Sequence, residues 1–158
     1  MMKKCMVAVL LLCILITSCG TSENSQERLK AKADHLQMVL FSDLEKTDGS
    51  TPSEGDSVLF DEDAILLDGS SVESAHTEEQ KNSDDHVTYV LKLIFTEEGS
   101  NQFARITSNH IGEQLAIIID GKLISAPVIN TEINEGSCII SGNFTKKEAE
   151  SYVALFND

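Results

Sequence analysis

Hydrophobic positions in this chain follow three different periods, and each period predicts a different element. Behind Met1, Met2, Lys3 and Lys4 runs an apolar stretch from Cys5 to Ile16. From Gln26 to about Leu44, the residues Leu29, Ala33, Leu36, Leu40 and Leu44 recur at three- and four-residue intervals among polar neighbours. That spacing predicts an amphipathic helix docked on the domain or on a partner. Glu45 to Ser57 is rich in Asp, Gly, Ser, Thr and Glu and reads as a loop. Val58 to Leu67 carries apolar pairs broken by Asp61, Glu62 and Asp63, which predicts one or two short strands before a turn at Asp68-Gly69. Glu73 to Asp85 is polar and acidic, and predicts a solvated loop.

The pattern sharpens at Val87. Val87, Tyr89, Leu91, Leu93 and Phe95 alternate with Thr88, Val90, Lys92 and Ile94, the period of a strand with one strongly apolar face. Thr96 is suited to cap a helix whose first turn holds Glu97 and Glu98, where the helix dipole favours negative charge. Phe103, Ile106, Thr107, His110 and Ile111 would line one side of that helix, and Gly112 would stop it. Leu115 to Ile119 is apolar throughout and short, as expected of a strand buried on both faces. Asp120-Gly121 predicts a hairpin turn, and Leu123 to Ile129 the returning strand, with Pro127 forcing an edge or a bulge. After the turn at Asn134-Glu135-Gly136, Cys138 to Ile140 gives a third strand. Thr145 and Glu148 then form a capping box for a last helix that buries Ala149, Val153 and Phe156. The order from Val87 is β-α-β-β-β-α, which defines an α+β class: a small mixed or antiparallel sheet with helices packed on one face, preceded by the amphipathic helix.

The N-terminus changes the picture of where this domain works. A basic n-region, an apolar segment too short to cross a bilayer, and Leu15-Ile16-Thr17-Ser18-Cys19-Gly20 follow one another in the register of a lipoprotein signal. The expectation is cleavage before Cys19 and lipidation of its thiol. Two or three acyl chains anchor stably where one does so only marginally. Residues 1–18 are then the signal, 19–25 a small polar tether, 26–57 the helix with its acidic loop, and 58–158 the main domain. The localisation expected is the extracytoplasmic face of a cell membrane or an outer membrane.

Charge and cysteines narrow the partners. The chain has 12 Lys and Arg against 26 Asp and Glu, a formal net charge of -14, and the signal carries two of the lysines and no acid. Such a surface repels phosphate backbones, which argues against nucleic acid as a partner. With Cys5 and Cys13 in the signal and Cys19 lipidated, Cys138 has no disulfide partner, so a packed core must carry stability.

Several residues together carry a family likeness. Gly99, Phe103, Ile106-Thr107, Gly112, the run Leu115 to Gly121, the run Ile124-Ser125-Ala126-Pro127-Val128-Ile129, and Ile140-Ser141-Gly142-Asn143-Phe144-Thr145 resemble the head subdomain of the first extracytoplasmic domain of SecD and SecDF. The likeness is dense from Gly99 to Ala149 and weaker from Leu66 to Ala75. It implies a domain that engages preprotein segments emerging from a translocation channel. No apolar span follows the leader, so the resemblance implies the binding half of that activity without its proton coupling.

Chemistry is poorly represented. His35, His76, His86 and His110 lie in different expected elements, without metal-ligand spacing, and no cofactor is expected. Ser125 and Ser141 lack a nucleophile-elbow context, and no phosphate-cradling glycine motif is present. Cys138 reads as a small core residue. The expected function is therefore that of a binding module rather than an enzyme, contacting exported polypeptides or an envelope protein through the membrane-tethered domain. The candidate contact residues are Ser125, Ala126 and Pro127, where a Pro-interrupted strand leaves backbone groups for strand addition, together with Asn143 and Phe144 of an expected loop Gly142-Asn143-Phe144. A structural or regulatory lipoprotein of a translocase, or a small-ligand sensor, are the alternatives.

Overall fold

A computed structural model describes residues 22–81 and 87–157. The signal, Cys19 and His86 lie outside these residues. In chain order the elements are α1 (Ser22–His35), β1 (Leu36–Leu40), β2 (Leu67–Asp68), β3 (Val72–Lys81), β4 (Val87–Phe95), α2 (Glu97–Asn109), β5 (Leu115–Ile119), β6 (Lys122–Ser125), β7 (Ser137–Phe144) and α3 (Lys146–Ala154). Short 3-10 turns fall at Phe41–Asp43, Glu62–Ala64 and Gly69–Ser71. The class is α+β, and the order from Val87 is β-α-β-β-β-α. The strands divide between two sheets, β2-β1-β5-β6 and β3-β4-β7, with every pairing antiparallel.

The first core joins both sheets. Leu36 and Met38 of β1, Leu91 and Leu93 of β4, Ile117 and Ile119 of β5 and Ile140 of β7 pack with Phe103 and Ile106 of α2 and with Phe156. The second core lies on the opposite face of the four-stranded sheet, where Val39, Ala116, Ile118 and Leu123 are covered by Leu44 and Val58 of the intervening loop. All five residues of β5 are consequently buried, as its unbroken apolar run predicts. Between β5 and β6 both turn residues take positive φ, +49° at Asp120 and +72° at Gly121, which is the backbone of a tight hairpin.

Several expectations are corrected. The helix expected to run to Leu44 stops at His35, because Leu36 to Leu40 pairs residue by residue with β5. Helix propensities differ by at most about 0.7 kcal/mol per ordinary residue. Burial of Leu36, Met38 and Val39 in two cores, plus a full ladder, outweighs that preference. Leu29, expected on the docking stripe, is exposed. Second, Glu73 to Lys81, expected as loop, forms most of β3, whose burial alternates only near Val72 and Ala75. It is an edge strand, so its polar composition reflects solvent on its outer side. Its backbone at Ala75 is capped by the Asn157 side chain, which accepts from Ala75 N (2.8 Å) and donates to Ala75 O (2.7 Å). Third, strand structure within 58–66 is limited to isolated bridges from Leu59 to Glu45 and, just upstream, from Ser57 to Lys122. The return strand is also shorter than expected: β6 ends at Ser125, before Pro127, and its register slips opposite Ile117 and Ile118.

Helix α2 is held at both ends by features the sequence displays. Thr96 Oγ1 accepts from Gly99 N at 3.0 Å. The helix closes at Asn109, ahead of Gly112 with φ +91°, and Ile111 points into solvent rather than the core. Inside, the buried Thr107 hydroxyl donates to Phe103 O (2.9 Å) and accepts from Ile133 N (2.9 Å), tying the helix to the loop before β7. Thr107→Val keeps the shape but leaves Ile133 N–H without its acceptor. The expected loss is about 1–3 kcal/mol of unfolding free energy in urea titrations. Thr107→Ser should recover most of it, and equal stability of the serine and valine variants would contradict this role.

Helix α3 carries the complete capping box. Thr145 N and Oγ1 donate to Glu148 Oε2 at 2.8 and 2.7 Å, and Glu148 N donates to Thr145 Oγ1. The Thr145 side chain first, and its backbone N–H second, hold the Glu148 carboxyl below its ordinary range. A carboxyl depressed in the fold contributes stability that is present above its unfolded pKa and is lost as pH falls through the folded one. The thermal midpoint should therefore decline on acidification from about pH 5 to about pH 3, and Glu148→Gln should flatten part of that decline. An identical acid profile in the variant would remove Glu148 from the account.

Candidate functional site

Of the five candidate contact residues, Ser125, Asn143 and Phe144 sit on the two strands where the sheets adjoin, and Ala126 and Pro127 directly follow one of them. β6 is an edge of one sheet and β7 an edge of the other, and they come near each other without a shared ladder. Ser125 closes β6 opposite Ile117. Ala126 is half-buried against the second core, and its carbonyl accepts from Gln114 Nε2 at 3.1 Å. Pro127 is exposed, yet its carbonyl accepts from Leu115 N at 3.0 Å. The outer edge of β6 is also occupied: Leu123 N donates to Asp56 O (2.9 Å) and Gly55 N donates to Leu123 O (2.7 Å). The backbone groups expected to be open for strand addition are therefore largely in use, taken by the acidic loop on one side and by residues 114–117 on the other.

On β7, the register opposite β4 jumps from Ser141 to Phe144, so Gly142 and Asn143 bulge outward. Asn143 is exposed at the bulge. Phe144 turns inward and meets Tyr152 edge-on, ring centroids 5.6 Å apart. Its ring lies over Gly142, where an added Cβ would come within 2.6 Å of it. Phe144 thus anchors the bulge, and Asn143 and Pro127 are the members of the set that face solvent most fully.

Cys138, on the same strand, pairs with Leu93 and packs against the first core. The residue as a whole is of intermediate exposure, but desolvation pushes its thiol up to about 12. A thiol that stays protonated is a poor nucleophile. Native protein at pH 8 is expected to resist disulfide reagents at Cys138, with labelling appearing there on denaturation; mass mapping that finds prompt native labelling would contradict it.

Among the described residues, no three His, Cys, Asp or Glu side chains converge as a metal site would require. His35 and Asp120 pair at 2.6 Å, and His110 and Glu113 at 3.0 Å, each as an isolated couple. No helix of the described residues is long and apolar enough to cross a membrane.

One feature of the surface was missed by sequence reading. A groove of about 920 Å³ opens between the second half of α1 and residues 58–65, reaching Gln37, Asp68 and Gly121. Leu59, more than half exposed, lies in it. Its only sequence signal is Val58-Leu59-Phe60, an apolar triplet inside an acidic stretch.

The fold is similar to that of solved SecDF structures. One, of SecDF described as a membrane component that enhances protein export, aligns with 90% of this chain and 70% of its own at TM-score 0.57 and 20% identity. Another, of SecDF in a super-membrane-facing form, aligns with 87% of this chain and 21% of its own at TM-score 0.57 and 24% identity. Residues 42–157 match the family of the SecDF P1 head subdomain, and the chain belongs to that family. Protein translocase subunit SecD of Leptotrichia buccalis is 43% identical over 91 residues, which are 58% of this chain and 22% of that protein. SecD of Rickettsia conorii is 37% identical over 107 residues, 68% of this chain and 20% of that protein. The chain thus spans about a fifth of the length of these relatives. Helix α1 and strand β1 precede the segment matched by the family.

Proposed function

We propose that this chain is a non-enzymatic binding module of protein export, held at the extracytoplasmic face of a membrane by lipid on Cys19. In this reading it contacts exported polypeptides, or a translocase or envelope protein, through the surface at β6 and β7. Membership of the SecDF P1 head family carries the proposal, supported by relatives that are translocase subunits. The solvent-facing members of the contact set, Pro127 and the Asn143 bulge, give the surface its side-chain character, since the β6 edge already has backbone partners.

The test is a photo-crosslinking residue at position 126 in living cells. Capture of exported chains in transit supports the module; recovery of no exported or envelope protein above background overturns it. A complete translocase co-purifying without clients would instead favour a regulatory subunit. Incorporation of labelled fatty acid, lost in Cys19→Ala, tests the tether independently.

A further inference from the structure

The groove between α1 and residues 58–65 combines an apolar floor with an acidic wall. Leu59, Phe60 and Ile65 supply the apolar surface, and Asp34, Glu62 and Asp63 three carboxylates, with Asp68, which accepts from Ser70, as a fourth at the end of the groove. Phe60 and Ile65 are tied into the second core, so the floor is fixed, while Leu59 is 54% exposed and offers surface that no described element covers. None of the three carboxylates forms an ion pair among the described residues. Of the described cations the groove is lined by Lys30, on the exposed face of α1.

We propose that this groove binds a polypeptide segment in which apolar residues alternate with, or are flanked by, lysine or arginine. The proposal rests on the reading of the domain as a polypeptide-contact module and names both the chemistry of the segment and a further place where it lies. Charge decides the occupant. A chain of net charge -14 repels a second copy of itself and attracts cationic partners, and the carboxylates concentrate that field at the groove. The volume lies at the upper end of the roughly 300–1,000 Å³ usual for ligand sites. The site is open to solvent, as suits a chain passing through rather than a small molecule enclosed. Exposed Leu59 gives an apolar side chain of the segment something to cover, and the carboxylates set its flanking charges. Helix α1 forms one wall, so the groove depends on an element upstream of the family-matched segment.

The experiment uses the full chain with an apolar photo-crosslinking residue in place of Leu59 or of Ala126. Each is irradiated with a labelled decapeptide of alternating leucine and lysine, and with its leucine–glutamate and serine–lysine counterparts. Strong capture at position 59 of the leucine–lysine peptide alone is expected. Adding E62Q and D63N should reduce that capture about five- to tenfold and weaken its dependence on salt. Both residues are exposed on a short 3-10 turn, so the variant should fold as the parent does. Equal capture of all three peptides at 59, or capture indifferent to E62Q and D63N, overturns the groove assignment. Capture at 126 with none at 59 overturns the groove alone and leaves the polypeptide-contact reading standing; capture at neither overturns both.

Discussion

Replacing Gly69 with alanine is expected to loosen helix α1 from the rest of the domain. A Cβ at position 69 would fall on the Lys32 carbonyl oxygen and close to Leu36 Cβ. Neither obstacle is the end of a flexible side chain: one is helix backbone and the other the Cβ of a residue fully buried in the first core, so relief requires the backbone to shift. Overpacking of this kind costs about 1–3 kcal/mol, and a backbone obstacle puts the cost toward the upper end. The cheapest relief is displacement of the last turn of α1, since β1 beyond it is locked by pairing on both edges. Faster amide exchange at Lys32 to His35, and faster tryptic cleavage after Lys30 and Lys32, should accompany the loss. The groove would lose one wall at the same time, and capture at position 59 should fall. Unchanged exchange in α1 would mean that the 3-10 turn at Gly69–Ser71 yields instead.

Phe156→Ala is expected to be among the most damaging single changes, at about 3–5 kcal/mol. Phe156 lies beyond the last helix, yet it is fully buried in the core that joins both sheets. Next to it, Asn157 closes the open edge of β3 at Ala75. Phe156→Leu should cost much less, because it conserves most of the volume. Urea midpoints for the two variants would decide: similar destabilisation by leucine and alanine would show that aromatic shape, not buried volume, is what matters there.

The helix caps and the tight turn were legible because the features that set them are local. Thr96 before Gly99, Asp120-Gly121, and Thr145 with Glu148 act over three or four residues, and their geometry follows from capping and turn chemistry wherever the chain goes. Even here the reason for a residue was sometimes hidden. Gly99 reads as an ordinary helical glycine, but in the fold its missing side chain lets α2 lie against Ser71, whose carbonyl oxygen would be 2.5 Å from an added Cβ. Of the candidate site, the sequence marked Pro127 as a break in the returning strand, but it ended the third strand at Ile140, whereas β7 runs on to Phe144 through the bulge at Gly142-Asn143. It did not reveal that the β6 edge has its partner in residues 55–58, nor that Phe144 turns inward. Both depend on segments far apart in the chain.

The sequence by itself determined the β-α-β-β-β-α order from Val87, the buried strand β5, the capped helices and the acidic surface, because periodicity and local hydrogen bonding encode them directly. The tertiary structure alone decided the fates of Leu36–Leu40 and Val72–Lys81. Leu36–Leu40 carries a helical spacing and becomes a strand, since pairing with β5 and burial in two cores exceed its local preference. Val72–Lys81 has the composition of a loop and becomes an edge strand, since β4 offers a ladder and water satisfies the other side. The groove has the same origin: its walls are brought together from α1 and from the loop over the second core, and no window of neighbouring residues contains both.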